Sequence, residues 1–240
     1  MNTNKMTAKI PSSIKKTARI AGLLYFLQIP LGVFGLVYVP KALIVPEDMS
    51  ATVSNILANE FLFRLSIVSS VLTALFTVFT ALFLYKVLKP VNKNYAMLMV
   101  IFTLIVAPIS IVNELNNVAV LLLLKSSAVA ATQLQALVSI FFDLHKYGIQ
   151  IAGIFFGLWL LPMGYLVFKS NFIPKIIGFF LMITCAGYLI DFVTFFLFPN
   201  FGVVISEYTW LGEVMMVFWL LIKGVNVNKW EESALKANNK

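Results

Sequence analysis

The sequence predicts an all-α, polytopic membrane protein: a bundle of six transmembrane helices with both termini cytoplasmic. Three observations carry that reading. Of 240 residues, 60% are hydrophobic and only 12% are charged, well outside the globular balance of roughly 45–50% apolar and about 25% charged. Six apolar runs, at 20–39, 62–85, 95–117, 148–168, 176–198 and 207–222, are each long enough to cross a bilayer. Fourteen of the eighteen basic residues fall on the side that holds the first nineteen residues, and Lys41, Arg64, Lys125 and Lys146 fall on the other, as the positive-inside rule demands. The chain therefore divides into a basic cytoplasmic segment, 1–19, a membrane domain, 20–224, and a cytoplasmic tail, 225–240.

The first run has a basic leader, but it is too long for the apolar stretch of a cleaved signal and no small-residue cleavage site follows it. It is read as a retained span. Ala21, Tyr25, Gln28, Gly32 and Gly35 fall on one stripe of it. Before span two, Val53, Ile56, Leu57 and Phe61 recur at helical spacing, and Asp48 or Ser50 is placed to cap a short helix at the outer interface.

Span two carries Ser66, Ser69, Ser70, Thr73, Thr77 and Thr80 within one arc. That stripe reads either as a helix-packing face or as a polar solute path. Span four carries Gln150, Gly153, Gly157 and Gly164 on one stripe, a small-residue face suited to contacts within the chain or to a homo-oligomer. Pro30, Pro108 and Pro162 are predicted to kink their helices. Residues 118–146 read as extended helix ends or as a second interfacial helix. All cytoplasmic connections are short, so no loop holds a soluble catalytic or DNA-binding domain.

Ionisable groups inside a bilayer cost about 2.5–3.5 kcal/mol each on insertion scales, so each marks a partner or a function. Span three offers Ser110, Asn113, Glu114 and Asn117 on one face; span five offers Asp191; span six offers Glu213; Arg64 stands at the outer end of span two. Asp143 and His145 precede span four. At 1.5 Å per residue Asp191 lies roughly 24 Å, and Glu213 roughly 15 Å, above the inner face. The reading is an outward-facing polar pocket lined by Arg64, Glu114, Asp191 and Glu213, with Asn113, Asn117 and His145 as further binding candidates. Arg64 has a second reading, a surface pair with Glu60 one turn earlier, and Asp191 and Glu213 have one as helix-to-helix hydrogen bonds.

One histidine without a cysteine partner argues against a zinc hydrolase, and no cofactor or metal is expected. The single cysteine, Cys185, allows no disulfide within the chain. The net charge of +8 follows the positive-inside pattern and implies no nucleic-acid partner. The bilayer itself is the expected partner, with a small solute or cation at the pocket.

The segments ARIAGLLY at 18–25, NEFLFR at 59–64, YKVLKPVN at 85–92, LHKYG at 144–148, FFGL at 155–158, GYLID at 187–191 and LGE at 211–213 resemble, in set and order, the bacterial membrane family catalogued as domain of unknown function 4386. The resemblance covers nearly the whole chain. It implies an integral membrane protein of several spans without an assigned activity, and it favours Arg64, His145, Asp191 and Glu213, which fall in the matched segments. Three functions stay open: handling of a small solute, cation or proton; an intramembrane enzyme acting on lipid or an outer-face substrate through Asp143, His145 and the acids; and a non-catalytic membrane partner or sensor.

Overall fold

A computed structural model describes residues 10–126 and 130–238, whose regular structure is all helix, joined by turns, with no strand among them. The expectations placed on residues 1–9, including Lys5 and Lys9, and on Lys240 lie outside the described residues. Helix α1 (Ile10–Val33) runs through Pro30 into a π-helical turn (Phe34–Tyr38) and then α2 (Val39–Leu43). The rest are α3 (Met49–Ala58), α4 (Glu60–Leu88), α5 (Lys93–Asn113), α6 (Leu115–Leu124), α7 (Ala131–Ser170), α8 (Lys175–Leu197), α9 (Ser206–Thr209), α10 (Leu211–Ile222) and α11 (Val227–Asn238).

Five helical stretches are long and apolar enough to cross a membrane: Ser13–Leu43, Glu60–Leu88, Lys93–Leu124, Gln133–Ser170 and Lys175–Leu197. A sixth arises if Ser206–Ile222 crosses with α11, which is bent from it by 103°. The uncertain stretch from 118 onward resolves as extended helix ends: α6 carries span three on to Leu124, and α7 begins a full four turns before Gly148. The helix predicted ahead of span two is α3. Its start is capped by Asp48, whose carboxylate accepts from the Ala51 amide at 2.8 Å, replacing one orphan donor of the first turn.

The chain forms two compact units. Among the described residues the first comprises 10–26, 77–105 and 153–238. Its core is built from Leu84 and Leu88 of α4, Trp159, Met163 and Leu166 of α7, Leu181 of α8, and Met216 and Leu220 of α10, all fully or almost fully buried. Glycines set its closest approaches. A Cβ on Gly212 of α10 would lie 2.5 Å from the Leu181 amide, and one on Gly22 of α1 would lie 2.8 Å from the Leu221 amide. Backbones meeting this closely are how helices associate where lipid offers no hydrophobic drive.

Among the described residues the second unit comprises 27–76, 106–126 and 130–152. Its core is Val39, Leu43, Ile56, Phe63, Val120, Leu121 and Val138. In the hydroxyl stripe of α4, Ser69 Oγ donates across to Leu31 O of α1 at 2.9 Å, while Ser66 Oγ donates within α4 to Phe63 O at 2.7 Å. Gly35 lets the π-helical turn lie against α4, where a Cβ would meet Ser70 Oγ at 2.7 Å.

Candidate functional site

The break between α5 and α6 falls at Glu114, which continues the right-handed turn (φ −66°, ψ −15°) without capping α6. Its carboxylate is therefore free to reach sideways. Oε2 accepts from Asn117 Nδ2 at 2.8 Å, and Oε1 lies 3.1 Å from Nε2 of His145 on α7. Asn113 Nδ2 donates to the backbone carbonyl of His145 at 2.9 Å, and Asn116 Nδ2 donates to Asn113 O and Oδ1, both at 3.0 Å.

Glu114 is 5% exposed and Asn117 8%, so a carboxylate, an imidazole and three carboxamides form a buried polar knot between apolar helices. Gly148, one turn beyond His145, makes the approach possible: any Cβ there would overlap the Asn113 amide. Chemically, a carboxylate against an imidazole can share, take up or release a proton. The carboxylate itself is a hard oxygen ligand of the kind a small cation takes.

A second polar group sits in the first unit. Tyr25 of α1, buried to 5% exposure, donates its hydroxyl to Glu213 Oε1 of α10 at 2.7 Å. Trp159 packs edge-on against Tyr25 with ring centroids 5.6 Å apart. Glu213 lies in the first turn of α10, where the helix dipole favours a carboxylate. Asp191 of α8 works on backbone: Oδ1 accepts from the Ile205 amide at 2.5 Å and Oδ2 from the Ser206 amide at 2.8 Å, just where α9 begins. Nearby Thr184 Oγ1 donates to Thr209 O at 2.5 Å.

Arg64 is engaged by Glu60. Its Nε and Nη2 donate to Glu60 Oε1 at 2.7 and 2.6 Å, and Lys125 Nζ reaches the same oxygen at 3.1 Å. The Arg64 side chain is 48% exposed, so this is a surface cluster and contributes little to stability.

Of the residues singled out in the sequence, the structure brings Asn113, Glu114, Asn117 and His145 together in one network. Arg64, Asp191 and Glu213 are each satisfied by a different partner, and Asp143 is exposed. Among the described residues no three His, Cys, Asp or Glu side chains gather as a metal site. Sequence reasoning missed Tyr25 as a polar partner. The available signal was its place on the small-residue stripe of span one, where a hydroxyl facing a neighbouring helix needs an acceptor.

Residues 20–224 match the family described as Domain of unknown function (DUF4386). A protein from Archaeoglobus fulgidus, named "Uncharacterized protein", is 34% identical over 175 residues, covering 71% of this chain and 93% of that one. The relative is archaeal, so sequences of this kind are not confined to bacteria. No solved structure matches.

Proposed function

Because the chain belongs to the family of the domain of unknown function 4386, a family of membrane-like helices with no set activity, we propose its function from its costliest buried group: it is a multi-pass cell-membrane protein that passes a proton or small cation across the bilayer by way of Glu114 and His145. One observation supports this most. A carboxylate at 5% exposure, 3.1 Å from the imidazole of the chain's one histidine, stands in a stretch apolar enough to cross a membrane. Ionisable groups so placed are rare and by default mark an ion or proton site. The positive-inside count favours an exchange with the outer face, because span three enters from the basic side and reaches Glu114 late in its course.

The enzyme reading receives less support. Asp143 points to the surface and His145 is committed to Glu114. The reading as a membrane partner or sensor is favoured by Asp191, whose two oxygens are both spent on backbone amides.

Proteoliposomes loaded with a pH-sensitive dye separate these readings. After external acidification the wild-type protein is expected to acidify the lumen faster than protein-free vesicles. Glu114→Gln keeps an acceptor for Asn117 but loses the titratable group, and is expected to fall to the protein-free rate while remaining monodisperse. Glu60→Gln, at the surface, is expected to keep the wild-type rate. A Glu114→Gln protein that conducts like wild type, or a wild type no faster than empty vesicles with protons, sodium or potassium, overturns the proposal.

A further inference from the structure

One end of the first unit is tied together by backbone acceptors. Arg19 Nη2 of α1 donates to Ile222 O at the end of α10 at 3.2 Å. The Asn226 amide donates to Phe172 O, in the turn between α7 and α8, at 3.2 Å. Trp230 Nε1 of α11 donates to Val87 O of α4 at 2.8 Å. The starts of α1 and α8 and the ends of α4, α7 and α10 therefore meet here, with α11 laid across them. Since α11 turns 103° from the preceding helix, it runs nearly in the membrane plane if α10 runs along the normal. Val227, Trp230 and Ala234 face inward and are part-buried, while Lys229, Glu232, Leu235 and Lys236 are exposed. The helix thus packs its few apolar residues on the protein and leaves a charged face, with Leu235, open at this end of the unit.

Between α11 and the α7–α8 turn lies an open cleft of about 480 Å³. Its rim holds Lys175, Lys229 and Lys236 against a single carboxylate, Glu232, with Asn171 as a neutral donor and Ser233, whose hydroxyl donates to Lys229 O at 2.9 Å, beside them. None of the three lysines is in an ion pair among the described residues. Three lysines against one carboxylate leave an excess of positive charge along the cleft that favours an anion there, and the Lys175 ammonium lies 5.8 Å from the centroid of the Phe168 ring. The α8 backbone that opens at Lys175 has no side-chain cap, so its first amides add to the attraction.

We infer that this cleft is a binding site for the phosphate of an anionic phospholipid head group. The lysines would neutralise the phosphodiester, and Asn171 would donate to its oxygens. A lipid, rather than a dissolved phosphate, fits because the cleft sits at the end of apolar spanning helices and under a surface-lying helix. Leu235, 65% exposed beside Lys236, would dip into the same leaflet. Basic pockets at the ends of membrane helices recognise head groups by this chemistry.

The test uses the full-length protein in detergent, with thermal unfolding and native mass spectrometry as readouts. Phosphatidylglycerol is expected to raise the melting temperature and remain bound, while phosphatidylcholine does neither. Each lysine near an anionic surface is worth about 1 kcal/mol, roughly fivefold in affinity. Combined Lys175→Gln, Lys229→Gln and Lys236→Gln substitution is thus expected to weaken phosphatidylglycerol retention by at least about tenfold. A control with Lys16, Lys89 and Lys93 changed to Gln alters net charge equally and is expected to retain the lipid.

Equal retention of the two lipids by the wild-type protein, or equal loss in the control, would overturn the site. Full protection by inorganic phosphate alone would overturn the lipid as its source. The comparison of lipids on the wild type needs no variant to fold.

Discussion

Gly153 and Gly157 form a single small-residue motif in the sequence, yet the structure uses them differently. A Cβ on Gly157 would lie 2.9 Å from Tyr188 Cβ and 3.3 Å from Cys185 O, whereas one on Gly153 would meet nothing within 4 Å. Gly157→Ala must push α7 from α8 and is expected to cost about 1–3 kcal/mol, the usual range for overpacking. Gly153→Ala is expected to leave the melting temperature in detergent unchanged, or to raise it slightly as a better helix former. Equal loss in both variants would show that Gly153 meets a second copy of the chain. The same contrast runs through the candidate site. The Glu114, Asn113 and Asn117 face was legible because three polar residues at helical spacing in an apolar run have no other explanation. The Tyr25 to Glu213 bond was not, because no periodicity within α1 or α10 links two positions 188 residues apart.

Among the elements, the apolar runs located the long helices, and the boundaries moved outward wherever a polar turn had its own partner. Residues at 131–147 read as ambiguous because Gln133, Gln135, Asp143, His145 and Lys146 interrupt the apolar pattern, but helix α7 tolerates them by exposing most and pairing His145. Helix α11 was invisible to the same reading: its inward face is only Val227, Trp230 and Ala234 on an otherwise polar stretch, too little to register as a hydrophobic run. The least self-sufficient element is the α9–α10 segment, and Asp191 supports its start from α8. Asp191→Ala leaves the Ile205 and Ser206 amides without acceptors, and an unsatisfied buried donor costs about 1–3 kcal/mol. Hydrogen exchange is expected to show lost protection at Ile205 and Ser206 and through the first turn of α10, with α4 and α7 unaffected. Unchanged exchange at these two amides would mean that Asp191 is held there for another purpose, and would return it to the list of solute-binding candidates.

For the whole molecule, Ser206–Ile222 decides whether the chain crosses five times or six. The segment Ser206–Ile222 at 1.5 Å per residue reaches about 25 Å, somewhat short of a hydrocarbon core of about 30 Å. Short spans are accommodated by local thinning at modest cost. Two observations favour a crossing. Arg19 at the start of the first span bonds the carbonyl of Ile222 at the end of the last, so both lie at one end of the first unit, as an even number of crossings requires. That end also carries Lys15, Lys16, Arg19, Lys223 and Lys229, a density of positive charge that the cytoplasmic side retains. Fusion of a fluorescent protein, which matures only in the cytoplasm, to either chain end is therefore expected to give signal, and alkaline phosphatase at the same points is expected to stay inactive. Phosphatase inserted in the turn at 45–48 is expected to be active, since one crossing separates it from the amino terminus. An active phosphatase at the carboxyl terminus alone would leave five crossings and make α9 and α10 a re-entrant segment. It would also part α11 from the α7–α8 turn, which four crossings keep on the side of the amino terminus, and so dismantle the basic cleft between them.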